Sequence, residues 1–145
     1  MDKGLTAMAV CCAVALTGAA TASGATNALT GNSVGDPNNA VSIKVTVKKG
    51  VAKTVKGVKT QNYDYVCDDE ETTGESSATI PGSFKVKKVD GKYAFGGITA
   101  PGSDPYWRVG GTVNKKGTSA QVEVYYVFRW GSLYCGGNSG AIVKK

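Results

Sequence analysis

The feature that most constrains this chain is a regular alternation of apolar and polar residues, broken by short turns. Over residues 41–48, Val, Ile, Val and Val alternate with Ser, Lys, Thr and Lys, a period typical of a half-buried β-strand. Asp90-Gly91 is a strong signal for a two-residue hairpin turn. From Val41 onward no segment carries a capped apolar stripe at helical spacing. The sequence therefore predicts an all-β fold.

The register of two hairpins supports this prediction. Folding the chain at Asp90-Gly91 gathers the apolar residues of both arms on one face, whereas a one-residue slip would split them. A second turn over 114–117 does the same for the next hairpin. The predicted pairs are Lys88 with Tyr93, Val86 with Phe95, Phe84 with Gly97, Val113 with Thr118, Gly111 with Ala120, Val109 with Val122 and Trp107 with Val124. The second hairpin's long arm would then place Tyr126, Phe128 and Trp130 on the core face.

Strand-like segments recur along residues 41–145, which form one predicted domain. Seven or eight strands at this spacing predict a two-layer antiparallel β-sandwich, immunoglobulin-like or similar, with a small β-barrel as the alternative. The predicted strands lie near 41–48, 51–59, 61–67, 83–89, 92–98, 106–113, 118–130 and 139–144.

The first 40 residues differ from the rest. Lys3, the apolar run 7–16 and Ala20-Thr21-Ala22 fit the three regions of a secretory signal peptide over residues 1–22, with a buried N-terminal helix as the alternative. Residues 23–40 are small, polar and rich in turn formers, which predicts a flexible polar leader. The expected location is secreted or cell surface, with no membrane span after cleavage.

Removal of the signal would leave Cys67 and Cys135. Two cysteines in an exported chain indicate one structural disulfide. It would close a loop of about 69 residues and contribute roughly 4 kcal/mol in the chain-entropy model. Two free thiols are the alternative, since a metal site would need further ligands in a chain without histidine. Cys67 shares its parity with Tyr63 and Tyr65, so it is expected to point inward beside aromatic rings.

The absence of histidine also limits the chemistry. It excludes a Ser-His-Asp triad, a Cys-His pair and imidazole metal ligands. Gly137-Asn138-Ser139-Gly140 superficially resembles the sequence around a protease nucleophile, but it lacks a base. No phosphate-binding loop is present. We therefore predict no catalytic, cofactor-binding or metal site, and we expect a protein that is not an enzyme.

Charge is concentrated in two places. The acidic run 68–71, followed by Glu75, predicts a solvated loop over 68–75, with weak cation binding as an alternative. It does not fit an EF-hand loop, because Thr73 and Thr79 stand where glycine and glutamate are needed.

The net charge is +6, and residues 41–59 carry lysines but no acid: Lys44, Lys48, Lys49, Lys53, Lys56 and Lys59. Alternation places Lys44, Lys48, Lys85 and Lys87 outward. There they would keep the sheet soluble or contact an anionic polymer. Nucleic acid is not an expected partner, because aromatic residues do not alternate with the lysines on that face.

A series of short motifs runs along residues 41–145: the Val-rich strand 41–47, Phe84-Lys85-Val86, Asp90-Gly91-Lys92-Tyr93-Ala94-Phe95, Gly111-Thr112-Val113 and Cys135-Gly-Gly-Asn-Ser-Gly. Through these motifs the chain resembles small exported bacterial β-sandwich proteins of unknown function. The family tryptophan after the last cysteine is absent here, where Ala141-Ile142-Val143 stand. The resemblance implies a secreted sandwich with one disulfide and supplies no active site.

Together these features predict a non-catalytic, secreted or cell-surface β-domain whose candidate partner is an anionic wall or extracellular polymer. The alternative is a secreted effector or inhibitor acting by protein–protein contact. Its anchor would be exposed aromatic residues in a loop such as 101–107.

Overall fold

The computed structural model describes residues 24–145, and the predicted signal peptide, with Cys11 and Cys12, lies outside them. The described residues form nine β-strands and no helix, which confirms the all-β antiparallel prediction. The strands are β1 (Ala25–Ser33), β2 (Asp36–Lys48), β3 (Val51–Cys67), β4 (Thr73–Lys85), β5 (Lys87–Val89), β6 (Lys92–Ile98), β7 (Tyr106–Val113), β8 (Ser119–Trp130) and β9 (Leu133–Lys144).

All nine strands belong to one sheet, in the order β4-β3-β2-β1-β9-β8-β7-β6-β5. The sheet closes on itself because the start of β9 also pairs with the end of β3, so β1, β2, β3 and β9 form a four-stranded barrel. The two arms of the sheet extend from this barrel. Their inner faces pack against each other in the main hydrophobic core, which draws on β1–β4 and on β6–β9.

The main core is built from the alternation seen in the sequence. Val41, Ile43 and Val45 are buried, and their polar neighbours point outward. A second, smaller core lies where β3 meets β9. It contains Tyr63, Tyr65, Cys67, Ala78 and Cys135.

The predicted flexible leader over 23–40 is wrong for most of its length. Residues 25–33 form β1, and β2 begins at Asp36. β1 pairs with β2 along its whole length and with β9 on its other side, so it is an interior strand. It carries no apolar periodicity because Leu29 is its only buried apolar side chain.

Hydrogen bonds and close packing replace apolar contacts at the other inward positions of β1. The Asn27 side chain donates to the Gly117 carbonyl, and the Ser33 hydroxyl donates to the Gly140 carbonyl. At Gly31 a Cβ would collide with the carbonyl of Ile142 on β9. Polar and small residues are therefore suited to this strand, although they read as a leader in the sequence.

The hairpin at Asp90-Gly91 forms as predicted at its tip, where Lys88 pairs with Tyr93. The predicted pairs of Val86 and Phe84 do not form. The ladder ends at Lys87, because the preceding chain has moved to β3: Phe84 pairs with Val55, and the Val86 amide donates to the Lys53 carbonyl.

The second hairpin forms, but its register is shifted by two residues from the predicted one. Val113 pairs with Ala120, not Thr118, and Trp107 pairs with Tyr126. The loop is longer because the Asn114 side-chain oxygen accepts hydrogen bonds from the amides of Thr118 and Ser119. A shift of two preserves parity, so every side chain keeps its predicted side.

Three further details differ from the prediction. The segments 51–59 and 61–67 are one strand, β3, whose pairing is interrupted by bulges beside Gly57 and Asn62, both at positive φ. β4 begins at Thr73, ten residues before the predicted start of that strand at 83. Trp130 lies on the predicted side, with its ring centre 5.9 Å from that of Tyr65, but it is 56% exposed because it stands at the end of β8, at the rim of the second core.

Candidate functional site

The first candidate surface is the outer face of β2, β3 and β4, which carries several exposed lysines. We call four of its exposed lysines the lysine face: Lys44, Lys56, Lys59 and Lys85. Lys48 of β2, predicted outward, is exposed as well. The four lysines of the lysine face stand in neighbouring rows of the sheet: Lys44 pairs with Lys56, Lys59 with Ser42 and Lys85 with Thr54.

Lys44 and Lys56 are a like-charge pair directly opposite each other on adjacent strands. Such pairs have Cβ atoms about 5 Å apart and destabilise a sheet. The stem of Lys44 lies over Gly57, where a Cβ would be 3.7 Å from Lys44 Cδ. The pair is therefore held in place by the register of the sheet.

Protection of sheet edges accounts for only some lysines. Lys85, Lys87 and Lys88 lie on or beside the terminal strands β4 and β5, where charge discourages pairing with another chain. Lys44, on β2, and Lys56, on β3, belong to strands with partners on both sides. Their charge is not needed to block an edge.

The lysine face ends at an acidic boundary on the same pair of strands. Asp64 of β3 pairs with Glu75 of β4, and the exposed turn 68–72 follows. The predicted solvated loop over 68–75 is thus a short turn followed by the start of β4.

Asp69 organises this turn. Its carboxylate accepts hydrogen bonds from the Thr72 hydroxyl and from the amides of Glu71 and Thr72, which lowers the pKa of Asp69. Its side-chain oxygens are therefore used in hydrogen bonds within the turn. Within residues 24–145, no group of three or more His, Cys, Asp or Glu residues is placed to hold a metal ion.

Cys67 and Cys135 lie opposite each other at the junction of β3 and β9 and form a disulfide. Cys67 points inward beside Tyr63 and Tyr65, as its parity predicted. The disulfide therefore fastens the strand pair that closes the barrel.

Ser139, from the Gly-Asn-Ser-Gly segment, is buried in a hydrogen-bonded cluster. Its hydroxyl is 2.6 Å from the Thr60 hydroxyl and donates to the Asn39 side-chain oxygen at 3.1 Å. All three residues are at most 4% exposed. The serine links β9 to β2 and β3 and is sealed from solvent.

The loop 101–107 does not present the expected aromatic anchors. Trp107 is half-buried with its ring against Phe84, and Tyr106 is half-buried with its ring edge-to-face on Tyr125. Exposed aromatic residues stand instead at the β8–β9 hairpin, which we call the aromatic tip: Trp130 (56% exposed) and Tyr134 (52%). The Arg129 guanidinium lies 5.4 Å from the centre of the Tyr134 ring.

The sequence correctly placed Lys44, Lys48, Lys85 and Lys87 outward. It did not show the pairing of Lys44 with Lys56 or the aromatic tip. The bulge beside Gly57 breaks the parity of β3, so alternation alone could not assign Lys56 to a face. The β8–β9 turn was not recognised. Its signal is Gly131, which has a positive φ at that turn.

Comparison with known protein families, with curated proteins and with solved structures finds no match. Residues 24–145 contain no helix long and apolar enough to cross a membrane. The surfaces of this chain are therefore interpreted from their own chemistry.

Proposed function

We propose that this protein is a non-catalytic binding domain that works outside the cell, secreted or at the cell surface, and holds an anionic extracellular polymer on its lysine face. The observation that carries the proposal is the pair Lys44 and Lys56 on interior strands. A like-charge pair destabilises the free protein, and a polyanion lying across it would relieve the repulsion.

The dimensions of the lysine face suit an extended polymer. Its rows run across β2, β3 and β4, where strands are about 4.8 Å apart. Residues 41–62 contain no acid, whereas Asp64 and Glu75 repel anions at the far end. A polyanion would therefore lie across the lysine end of the β3–β4 ribbon and stop before the acidic pair.

An extracellular location is consistent with the disulfide, because such bonds persist in oxidising compartments. The predicted signal peptide supports the same location.

The test is a binding titration with two anionic probes, poly(glycerol phosphate) and a polyuronate, at several salt concentrations. We expect wild-type protein to bind at low ionic strength. The double variant Lys44→Gln/Lys56→Gln should bind more than tenfold more weakly. Its slope of log K against log salt should also fall by about 1.4, as expected for two lost contacts to a single-stranded polyanion.

The matched control is Lys115→Gln/Lys116→Gln, which removes the same charge from the exposed loop after β7. Equal loss of binding in both double variants would overturn the lysine face as the site. Failure of wild-type protein to bind either probe at low salt would overturn the polymer proposal, as would tighter binding to single-stranded DNA.

A second candidate function is protein–protein contact through the aromatic tip. Trp130 and Tyr134 are each more than half exposed. Tryptophan, tyrosine and arginine are the residues that most often dominate interface energies. Cross-linking on the surface of the producing cell should capture a protein with wild type and with Val89→Ala, an exposed control, but not with Trp130→Ala. If wild type and both variants capture the same protein, the aromatic tip is not the contact surface.

A further inference from the structure

We propose that the outer face of β6–β9 carries a second binding site, separate from the lysine face, for an extended neutral oligosaccharide. The site is a trough whose floor is one row of residues across four adjacent strands. Gly96 pairs with Gly110, Gly110 with Glu123, and Glu123 with Gly140. We call this row the glycine trough. A groove of about 550 Å³ lies over its β7–β9 part.

At two positions of the trough, neither the backbone conformation nor the available space requires a glycine. A Cβ on Gly110 would have its nearest neighbour at 3.8 Å, and a Cβ on Gly140 at 3.9 Å, which are ordinary contacts. Neither residue has a positive φ. The contrast is Gly31 or Gly137, where a Cβ would collide with a backbone carbonyl.

A glycine inside a strand destabilises it by about 0.5–1 kcal/mol relative to alanine. Where neither dihedral angle nor crowding demands it, a strand glycine marks a bulge, a bend or the close approach of a ligand to the backbone. The ladders around Gly110 and Gly140 contain no bulge, which favours a ligand. Gly110 and Gly140 flank Glu123 on both sides, so the floor is open around one carboxylate.

The wall beside the floor is polar and aromatic. Arg108, Tyr125 and Asn138 form the next row across the same strands. The Arg108 guanidinium lies 5.9 Å from the centre of the Tyr125 ring, and Tyr106 packs edge-to-face on that ring at 6.2 Å. These contacts hold the wall in place before any ligand arrives.

This set of groups fits sugar hydroxyls better than other ligands. Arg108 and Asn138 donate, whereas Glu123 and Asn138 accept, so the site matches groups that do both. Tyr125 offers an apolar ring for the C–H face of a pyranose. The charged residues that line the groove are one cation, Arg108, and one anion, Glu123, so its lining has no net charge, unlike the lysine face.

A peptide is a poorer fit. Strands β6–β9 are paired with neighbours, and the trough crosses them, so it offers no free edge for strand addition. The groove crosses β7, β8 and β9, which are two inter-strand spacings, about 10 Å. That length suits a short oligosaccharide. Hydrolysis is not implied, because glycosidases need two carboxylates and Glu123 is the only one among residues 24–145 that lines the groove.

The test is an NMR titration of the full exported protein with a panel of neutral soluble glycans: a β-1,4-glucan, a β-1,3-glucan, a chitin oligosaccharide and an α-mannan. At least one should shift the amide signals of Gly110 and Gly140 and leave those of Lys44 and Lys56 in place. Absence of binding by all four at millimolar concentration would overturn the proposal, as would shifts confined to the lysine face.

The second part of the test uses substitutions that fill the floor of the glycine trough. Gly110→Val and Gly140→Val should each weaken binding more than tenfold while the melting temperature stays equal or rises, since valine favours strands. Ala28→Val, outward on β1, is the control and should bind as wild type. If a filled variant is less stable, Tyr125→Ala replaces it. Unchanged affinity in Gly140→Val or in Tyr125→Ala would overturn the proposal.

Discussion

At the scale of single residues, Tyr63 stands out because its ring is 1% exposed and its hydroxyl has no hydrogen-bond partner among residues 24–145. Burial raises the pKa of Tyr63. Ser76, opposite on β4, offsets part of that rise but is not placed for a normal hydrogen bond. The second core therefore contains a buried polar group that destabilises it.

Tyr63→Phe should raise the free energy of unfolding by about 1 kcal/mol at neutral pH, because the substitution removes an unsatisfied hydroxyl and keeps the ring. Urea unfolding measures this effect. Tyr134→Phe, on the exposed aromatic tip, is the control and should change little. A destabilised Tyr63→Phe protein would show that the hydroxyl is satisfied.

The raised pKa of Tyr63 also makes the free energy of unfolding depend on pH. A phenol whose pKa is higher in the folded state contributes stability that is complete below its unfolded pKa, near 10, and is lost as the pH rises through the folded value. Wild-type protein should therefore lose stability above about pH 10, and Tyr63→Phe should lose less. Parallel alkaline curves for the two proteins would contradict this assignment.

At the scale of elements, β1 shows what alternation can and cannot predict. The patterned strands β2, β6, β7 and β8 were found, because one face of each is apolar. β1 and most of β4 were missed, since their inward positions are filled largely by small and polar residues. In β1 the partners of Asn27 and Ser33 lie about a hundred residues away, so no local pattern records them.

Deleting residues 24–33 tests whether β1 is part of the fold. A flexible leader would be dispensable, whereas removal of this interior strand should abolish cooperative unfolding, because it opens the barrel and uncovers Ile43 and Val143. Thermal denaturation followed by circular dichroism is the measurement. Leu29→Ala is the milder companion, with an expected loss of about 2–5 kcal/mol. If the deletion variant unfolds as cooperatively as wild type, residues 24–33 are a dispensable leader.

At the scale of the whole molecule, the disulfide joins the two strands that close the barrel. Replacing both residues, Cys67→Ala/Cys135→Ala, should lower the free energy of unfolding by up to about 4 kcal/mol for a loop of this length. Urea unfolding of the variant against wild type gives the value. Mass spectrometry of the native exported protein should find a linked Cys67–Cys135 peptide, and two alkylatable thiols would contradict the bond.

The candidate sites were predictable in part. Alternation alone predicts that Lys44 and Lys85 point outward, because each lies next to an apolar residue that faces the core. The glycine trough could not be found this way. It depends on the register of four strands at once, and a shift of two residues in the β7–β8 hairpin changes which residue lies opposite Gly110. The face of the sheet to which a side chain points follows from the local sequence. The residues that lie beside it on adjacent strands depend on the register of the whole sheet.

The central place of β9 in the sheet has a consequence for the order of folding. This strand follows the other eight along the chain, yet it lies between β1 and β8 and also closes onto β3. A growing chain therefore holds the first three barrel strands without their closing partner until residues 133–144 have been made. Such long-range pairing is slow to form. A chain that ends before Leu133 lacks the strand that completes the barrel, so its first three barrel strands have no closing partner.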